Sequence, residues 1–193
     1  MNKTMKKLIF TEYRRLFYLI FIFVISLFIS AFIFILTGKG NMSSINYENI
    51  NQLPLMVIFL KIFRRNIIYF ISIICLTCIG QGKIINGLFG LMSVYYGLSV
   101  IYLIRTINFD KIYFVFTFTD YFVFFPMLFY FTYISSVVSK YSKRTKKVET
   151  ISHKFDIIMS SYIKFALLYL LLVSAYSLSY SYYIIILGRL LVK

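Results

Sequence analysis

The sequence predicts an all-α, polytopic integral membrane protein of about five transmembrane helices, N-terminus inside and C-terminus outside, with short interfacial or re-entrant helices between spans. Three observations lead there. Hydrophobic residues make up 61% of the 193 and charged residues only 14%, at a mean hydropathy of +0.84. Soluble domains average about 45–50% apolar and about 25% charged residues, so this chain has too few polar side chains to coat a globule of its size. The apolar runs are unbroken rather than alternating, which favours helices that satisfy their own backbone hydrogen bonds over a barrel. Finally, 21 Lys and Arg stand against six Asp and Glu, a net charge of +15 concentrated in short segments beside the apolar runs. In a soluble chain that surplus would point to nucleic acid. With no nucleic-acid module beside it, the charge reads as contact with the lipid bilayer and as a signal of orientation.

The first span is Leu16 to Leu36, whose 21 residues at about 1.5 Å each cover about 30 Å of hydrocarbon. Its length argues for an anchor, because the apolar core of a cleaved signal peptide is only about 7–15 residues. Residues 37–54 are polar and read as an external loop. In "LMVIFLKIFRRN", residues 55–66, Lys61, Arg64 and Arg65 stand against an apolar side and suggest a short interfacial helix. A second span is expected over 67–80. A tight polar turn at Gln81-Gly82-Lys83 follows, with Gly80 and Gly82 as candidate turn or cap residues, then a third span over 84–104.

The apolar stretch from 112 exceeds one crossing. Residues 112–119 are therefore assigned to the interface or a re-entrant turn, and the fourth span to 121–138. Residues 139–156 form the strongest basic loop, and the last span covers 163–187. With the N-terminus inside, thirteen of the 21 cations fall on the inner side, the bias the orientation rule predicts, while Lys61, Arg64 and Arg65 fall on the outer side unless their element is interfacial. The chain is thus one membrane domain, 1–193.

Catalytic constellations are sparse. The single His153 excludes a two-histidine zinc site, and no metal or cofactor site is expected. Cys75 and Cys78 have C-x-x-C spacing but lack a second pair to relay electrons, so two small packing residues explain them better than a redox enzyme. Gly87, Gly90, Ser93 and Gly97 recur every three or four residues and strip one face of the third span of bulk. Ser174, Ser177 and Ser181 do the same in the last span. Such faces pack helices, either within the chain's own bundle or against a partner. Asp120 would be costly at mid-bilayer. At the start of the fourth span its carboxylate favours the helix N-terminus, and Pro126 falls where a missing donor does least harm. The rival reading places Asp120 on the ion or substrate path of a small transporter or permease subunit.

"EYRRLFYLIFIFVISLF", "RRNIIYFISIICLTCIGQG", "GLSVIYLI" and "FTFTDYFVFFP" together resemble the stage II sporulation protein M family, small polytopic proteins of endospore-forming bacteria. Pro126 matches the family's second proline in the last of these, whereas Thr119, Asp120 and Tyr121 stand where the family has a first proline-containing turn. The resemblance implies a non-enzymatic scaffold on the mother-cell side of the sporulation septum. Its partners would be membrane-anchored peptidoglycan hydrolases, a lytic transglycosylase and an amidase/endopeptidase, gathered for engulfment of the forespore.

Overall fold

A computed structural model describes residues 12–37, 54–106, 120–145 and 152–191, with side chains for 12–36, 54–101, 121–142 and 156–186. Almost everything within those residues is helical: α1 (Tyr13–Thr37), α2 (Leu55–Ile79), α3 (Gly82–Thr106), a π turn (Asp120–Phe124) that runs into α4 (Phe125–Thr145), and α5 (Ser152–Leu191). Five of these stretches are long and apolar enough to cross a membrane: Tyr13–Leu36, Leu55–Ile79, Gly82–Ile101, Tyr121–Ser142 and Asp156–Ile186. The expected external loop falls largely, and segment 112–119 wholly, outside the described residues.

Two boundaries differ from the sequence expectation, for one physical reason. The interfacial helix of 55–66 and the span of 67–80 are a single 25-residue helix. No breaker lies between Pro54, just ahead of α2, and Gly80, and packing gives the first half of the helix a buried side. Ile58 and Ile62 lie against Tyr180 and Ile184 of α5, while Lys61 and Arg64 face outward. Likewise, the basic segment 139–156 is not wholly a loop. It contains neither Gly nor Pro, so α4 continues to Thr145 and α5 begins at Ser152, placing His153 within a helix.

The turn between α2 and α3 is built from Gly80. It adopts φ 85°, ψ 23°, the left-handed region that a side chain disfavours. Its N–H reaches the Thr77 carbonyl at 3.1 Å and the Gln81 N–H reaches the Leu76 carbonyl at 2.9 Å, the paired bonds of a Schellman close. The chain therefore reverses within two residues, and α3 packs back beside α2. The widened π turn ends at Phe124, two residues before Pro126. Proline has no N–H for the carbonyl four residues back and its ring crowds that carbonyl, so a wider turn there relieves the clash.

α4 is the centre of the bundle, touching every other helix. Within its apolar window 67% is buried, against 17% for α1, which lies at the edge and leans chiefly on α3. The interior is aromatic. Phe70 sits 4.8 Å from Phe131 between ring centroids, Phe131 sits 5.1 Å from Tyr169, and Phe165 sits 4.6 Å from Tyr169. Phe125 extends the cluster toward α1 and α3, 4.9 Å from Phe23 and 5.8 Å from Phe89. Tilted and offset pairs of this kind add about 0.5–1.5 kcal/mol each beyond the area they bury.

Candidate functional site

Polar groups inside an apolar bundle mark the positions where sequence has been spent on something other than filling space. Among the described residues they form three sets. The first joins α1 to α3. Ser26 Oγ donates to the Ile22 carbonyl at 2.8 Å and lies 3.2 Å from the Gly90 carbonyl; Ser30 Oγ lies 2.6 Å from the Ser26 carbonyl and 2.9 Å from that of Val94. A Cβ added at Gly97 would stand 2.4 Å from Ser30 Oγ and 2.9 Å from Ser30 Cβ. Bare glycine is what lets the two backbones come this close.

The second set ties α2, α4 and α5 together in the interior. Tyr162 is fully buried, and its hydroxyl lies 2.8 Å from Ser135 Oγ and donates to Thr77 Oγ1 at 3.1 Å. Thr77 in turn donates to the Ile73 carbonyl at 2.7 Å. Further along α2, buried Asn66 accepts from Arg65 Nε at 3.0 Å and donates through Nδ2 to Ser177 Oγ at 3.4 Å. These bonds fix the rotation of α5 against α2, because turning either helix would leave buried hydroxyl and amide groups unsatisfied.

The third set lies at the end of the bundle that holds the α1 N-terminus. Lys140 Nζ is 2.7 Å and 2.6 Å from the two carboxylate oxygens of Glu12. Arg15 Nη1 donates to Ser136 Oγ at 2.8 Å and also to the Ser136 carbonyl, while its Nε stands 3.8 Å from Glu12. Gly82 completes the corner: a Cβ there would be 3.3 Å from Ser139 Oγ and 3.7 Å from Arg15 Nη1. The start of α1, the start of α3 and the second half of α4 thus meet at one end.

The small residues singled out in the sequence are used unequally. Gly97, Ser177 and Ser181 are buried inside the chain's own bundle. Gly90 is half-buried against Ile22 and Ser26, and half-buried Ser174 bonds back to the Leu170 carbonyl at 2.8 Å. Gly87, unlike Gly82, Gly90 and Gly97, has nothing within 4 Å of an added Cβ; it lines an open apolar groove of about 360 Å3 with Tyr18, Phe21, Ile25 and Leu91. Cys75 and Cys78 are exposed on α2. Asp120 opens the π turn and Pro126 lies exposed one residue into α4. No group of three metal-ligating side chains occurs among the described residues.

Several of the polar partners escaped the sequence reading. Ser26 and Ser30 repeat the four-residue spacing seen in α3, and that repeat was the available signal. Thr77, Ser135 and Tyr162 carry no such pattern; they are single polar residues on three different helices, and only the fold brings them together.

Fold and polar sets together define a class: a five-helix bundle of membrane-crossing dimensions in which, among the described residues, buried hydroxyl, amide and charged groups link α1 to α3 and α4, and α2 to α4 and α5. The chain matches no family model, no curated protein and no solved structure.

Proposed function

We propose that this chain is a multi-pass membrane protein that acts as a non-catalytic platform for a membrane-anchored partner, with its N-terminus on the cytoplasmic side. One observation carries the reading: the interior of the bundle is filled by contiguous aromatic rings from Phe23 through Phe125 to Phe89, and from Phe124 through Phe70 and Phe131 to Tyr169. A close-packed aromatic interior favours a rigid body over the rival permease reading centred on Asp120, and the hydroxyls buried among the rings at Ser135, Tyr162 and Thr77 are taken up by bonds to one another and to the Ile73 carbonyl. The charge balance supports the orientation, since the basic segments at the α1 N-terminus, at Lys83 and after Ser139 all fall at the same end.

With Gly97, Ser177 and Ser181 engaged internally, the partner contact falls on the outward side of α1. Phe17, Phe21, Phe28 and Phe32 are each at least 60% exposed there. The family resemblance gives the partners their chemistry, namely peptidoglycan hydrolases brought to a septum during spore formation. The test is photo-crosslinking in sporulating cells from Phe28 or Phe32, with the equally outward Leu171 of α5 as the comparison site. Capture of a wall hydrolase from α1 and not from α5 supports the platform. Failure of every α1 site to capture a partner, together with loss of a solute flux when the protein is deleted, overturns it in favour of transport.

A further inference from the structure

Three cations occupy a place on α2 where a spanning helix is otherwise apolar. Lys61, Arg64 and Arg65 stand at i, i+3 and i+4, which puts them on neighbouring turns of one side. Lys61 and Arg64 are exposed, and they continue the same outward stripe as Ile68 at 52% exposure, Ile71 at 47% and Cys75. Their surroundings are therefore what that stripe faces, not the bundle interior. Arg65 is half-buried at the edge of the stripe, and its Nε bond to the fully buried Asn66, itself bonded to Ser177, holds the plane of the guanidinium.

Depth follows from helical rise. Counting about 1.5 Å per residue from Ile79, where α2 closes, Arg65 lies about 21 Å and Lys61 about 27 Å along the helix. A hydrocarbon layer is about 30 Å thick, so the backbone at these cations sits about 3–9 Å inside its far boundary, within reach of the lipid phosphates once the long side chains extend outward along the helix. Cations at that depth are stabilised by anions, and the lipid head group is the abundant anion at that level.

We propose that Lys61, Arg64 and Arg65 form a binding site for the phosphate of an anionic phospholipid, in the leaflet at the end of the bundle away from the Gly80–Gln81 turn. This rests on the membrane-spanning reading of the fold. Guanidinium groups suit the role because they pair with phosphate oxygens through two parallel donors, and an Arg whose plane is already fixed loses less freedom on binding. The acyl chains of the same lipid lie along Ile68 and Ile71, which ties the site to a lipid rather than to a soluble anion.

The experiment uses the full-length protein purified in nanodiscs of phosphatidylcholine doped with phosphatidylglycerol, reading the lipids retained after gentle delipidation. Carbonate extraction of the native membrane comes first: a chain that washes off would fail the membrane reading itself, separately from the site. For the wild type, phosphatidylglycerol is retained over phosphatidylcholine. Each cation removed is expected to cost about fivefold of that preference, so Lys61→Gln with Arg64→Gln loses about 25-fold. Arg64→Lys with Arg65→Lys, which keeps the charge but loses the paired donors, retains only part of it, though more than Lys61→Gln with Arg64→Gln does. Arg14→Gln with Lys83→Gln, which removes two exposed cations at the opposite end, leaves most of it. Circular dichroism of each variant checks that helix content is unchanged. Equal losses from the two ends would show a general charge effect and overturn the site, as would an unaffected Lys61/Arg64 variant. Displacement of the retained lipid by millimolar inorganic phosphate would overturn the lipid assignment.

Discussion

Lys140 of α4 grips both carboxylate oxygens of Glu12, at 2.6 Å and 2.7 Å, across 128 residues of sequence. Glu12 immediately precedes α1, a helix that is otherwise held chiefly by α3, so the pair anchors the bundle's peripheral helix to its central one. Both side chains are partly exposed, 30% for Lys140 and 21% for Glu12, which screens the attraction. The coupling expected from a double-mutant cycle with Glu12→Gln and Lys140→Gln is about 0.5–1 kcal/mol. Thermal unfolding in detergent measures it. The exchanged pair, Glu12→Lys with Lys140→Glu, should recover part of the loss and not all of it, because the ammonium introduced ahead of α1 would then lie beside Arg15. Strict additivity of the two single variants would mean that the contact contributes nothing.

Gly97 and Gly87 lie on the same helix and should respond in opposite ways. Gly97→Ala drives a methyl group into Ser30, where the overlap involves Cβ as well as the hydroxyl, so the α1–α3 seam must open. Overpacking of this kind typically costs about 1–3 kcal/mol. Gly87→Ala meets open space and should be neutral or slightly stabilising, since alanine is the better helix former. Comparing the two melting temperatures tests the seam; equal destabilisation would contradict it.

Tyr162→Phe removes the hydroxyl that connects Ser135 to Thr77. Thr77 keeps its bond to the Ile73 carbonyl, so the cost falls mainly on Ser135, left buried with one partner fewer. An expected loss of about 1 kcal/mol reflects the modest worth of hydroxyl bonds between membrane helices. The double variant Tyr162→Phe with Ser135→Ala should be little worse than Tyr162→Phe alone, because the second change deletes the group that the first one stranded. Additive losses would show that the two hydroxyls act independently.

Cys75 and Cys78 provide a probe of the outward face of α2. In intact membranes a lipid-soluble maleimide should label both, whereas a charged, membrane-impermeant one should label neither until detergent is added. The Cys75→Ser, Cys78→Ser variant should keep its stability and any partner capture. Loss of function in that variant, with the fold intact, would revive a redox role for the C-x-x-C pair.

Asp120 is the residue on which a transport role would turn. Conversion to Asn is expected to leave ion and solute flux in proteoliposomes unchanged, because the bundle below the π turn is closed by Phe124, Phe125 and Phe70, all buried. A change in flux of tenfold or more would move the assignment from platform to conduit.

The class of fold and the five membrane-length helices were legible in the sequence, because the length of an apolar run against the thickness of a bilayer is a local property that any window of the chain reveals. The sequence also signalled a tight turn between the second and third spans, at Gln81-Gly82-Lys83, whereas the reversal falls at Gly80 and Gln81, and Gly82 already opens α3, because Gly80 takes the left-handed conformation that closes α2. It did not determine which face of each helix looks inward: in helices apolar nearly all round, such as α1, hydropathy carries almost no phase information. Only the tertiary structure decided that Gly97 meets Ser30, that Ser177 meets Asn66, and that α2 runs unbroken through its basic residues from Leu55 to Ile79. Those outcomes depend on the rotation and depth of one helix against another, quantities fixed by close packing and by pairings of buried polar groups from distant parts of the chain, such as Asn66 with Ser177 and Tyr162 with Ser135.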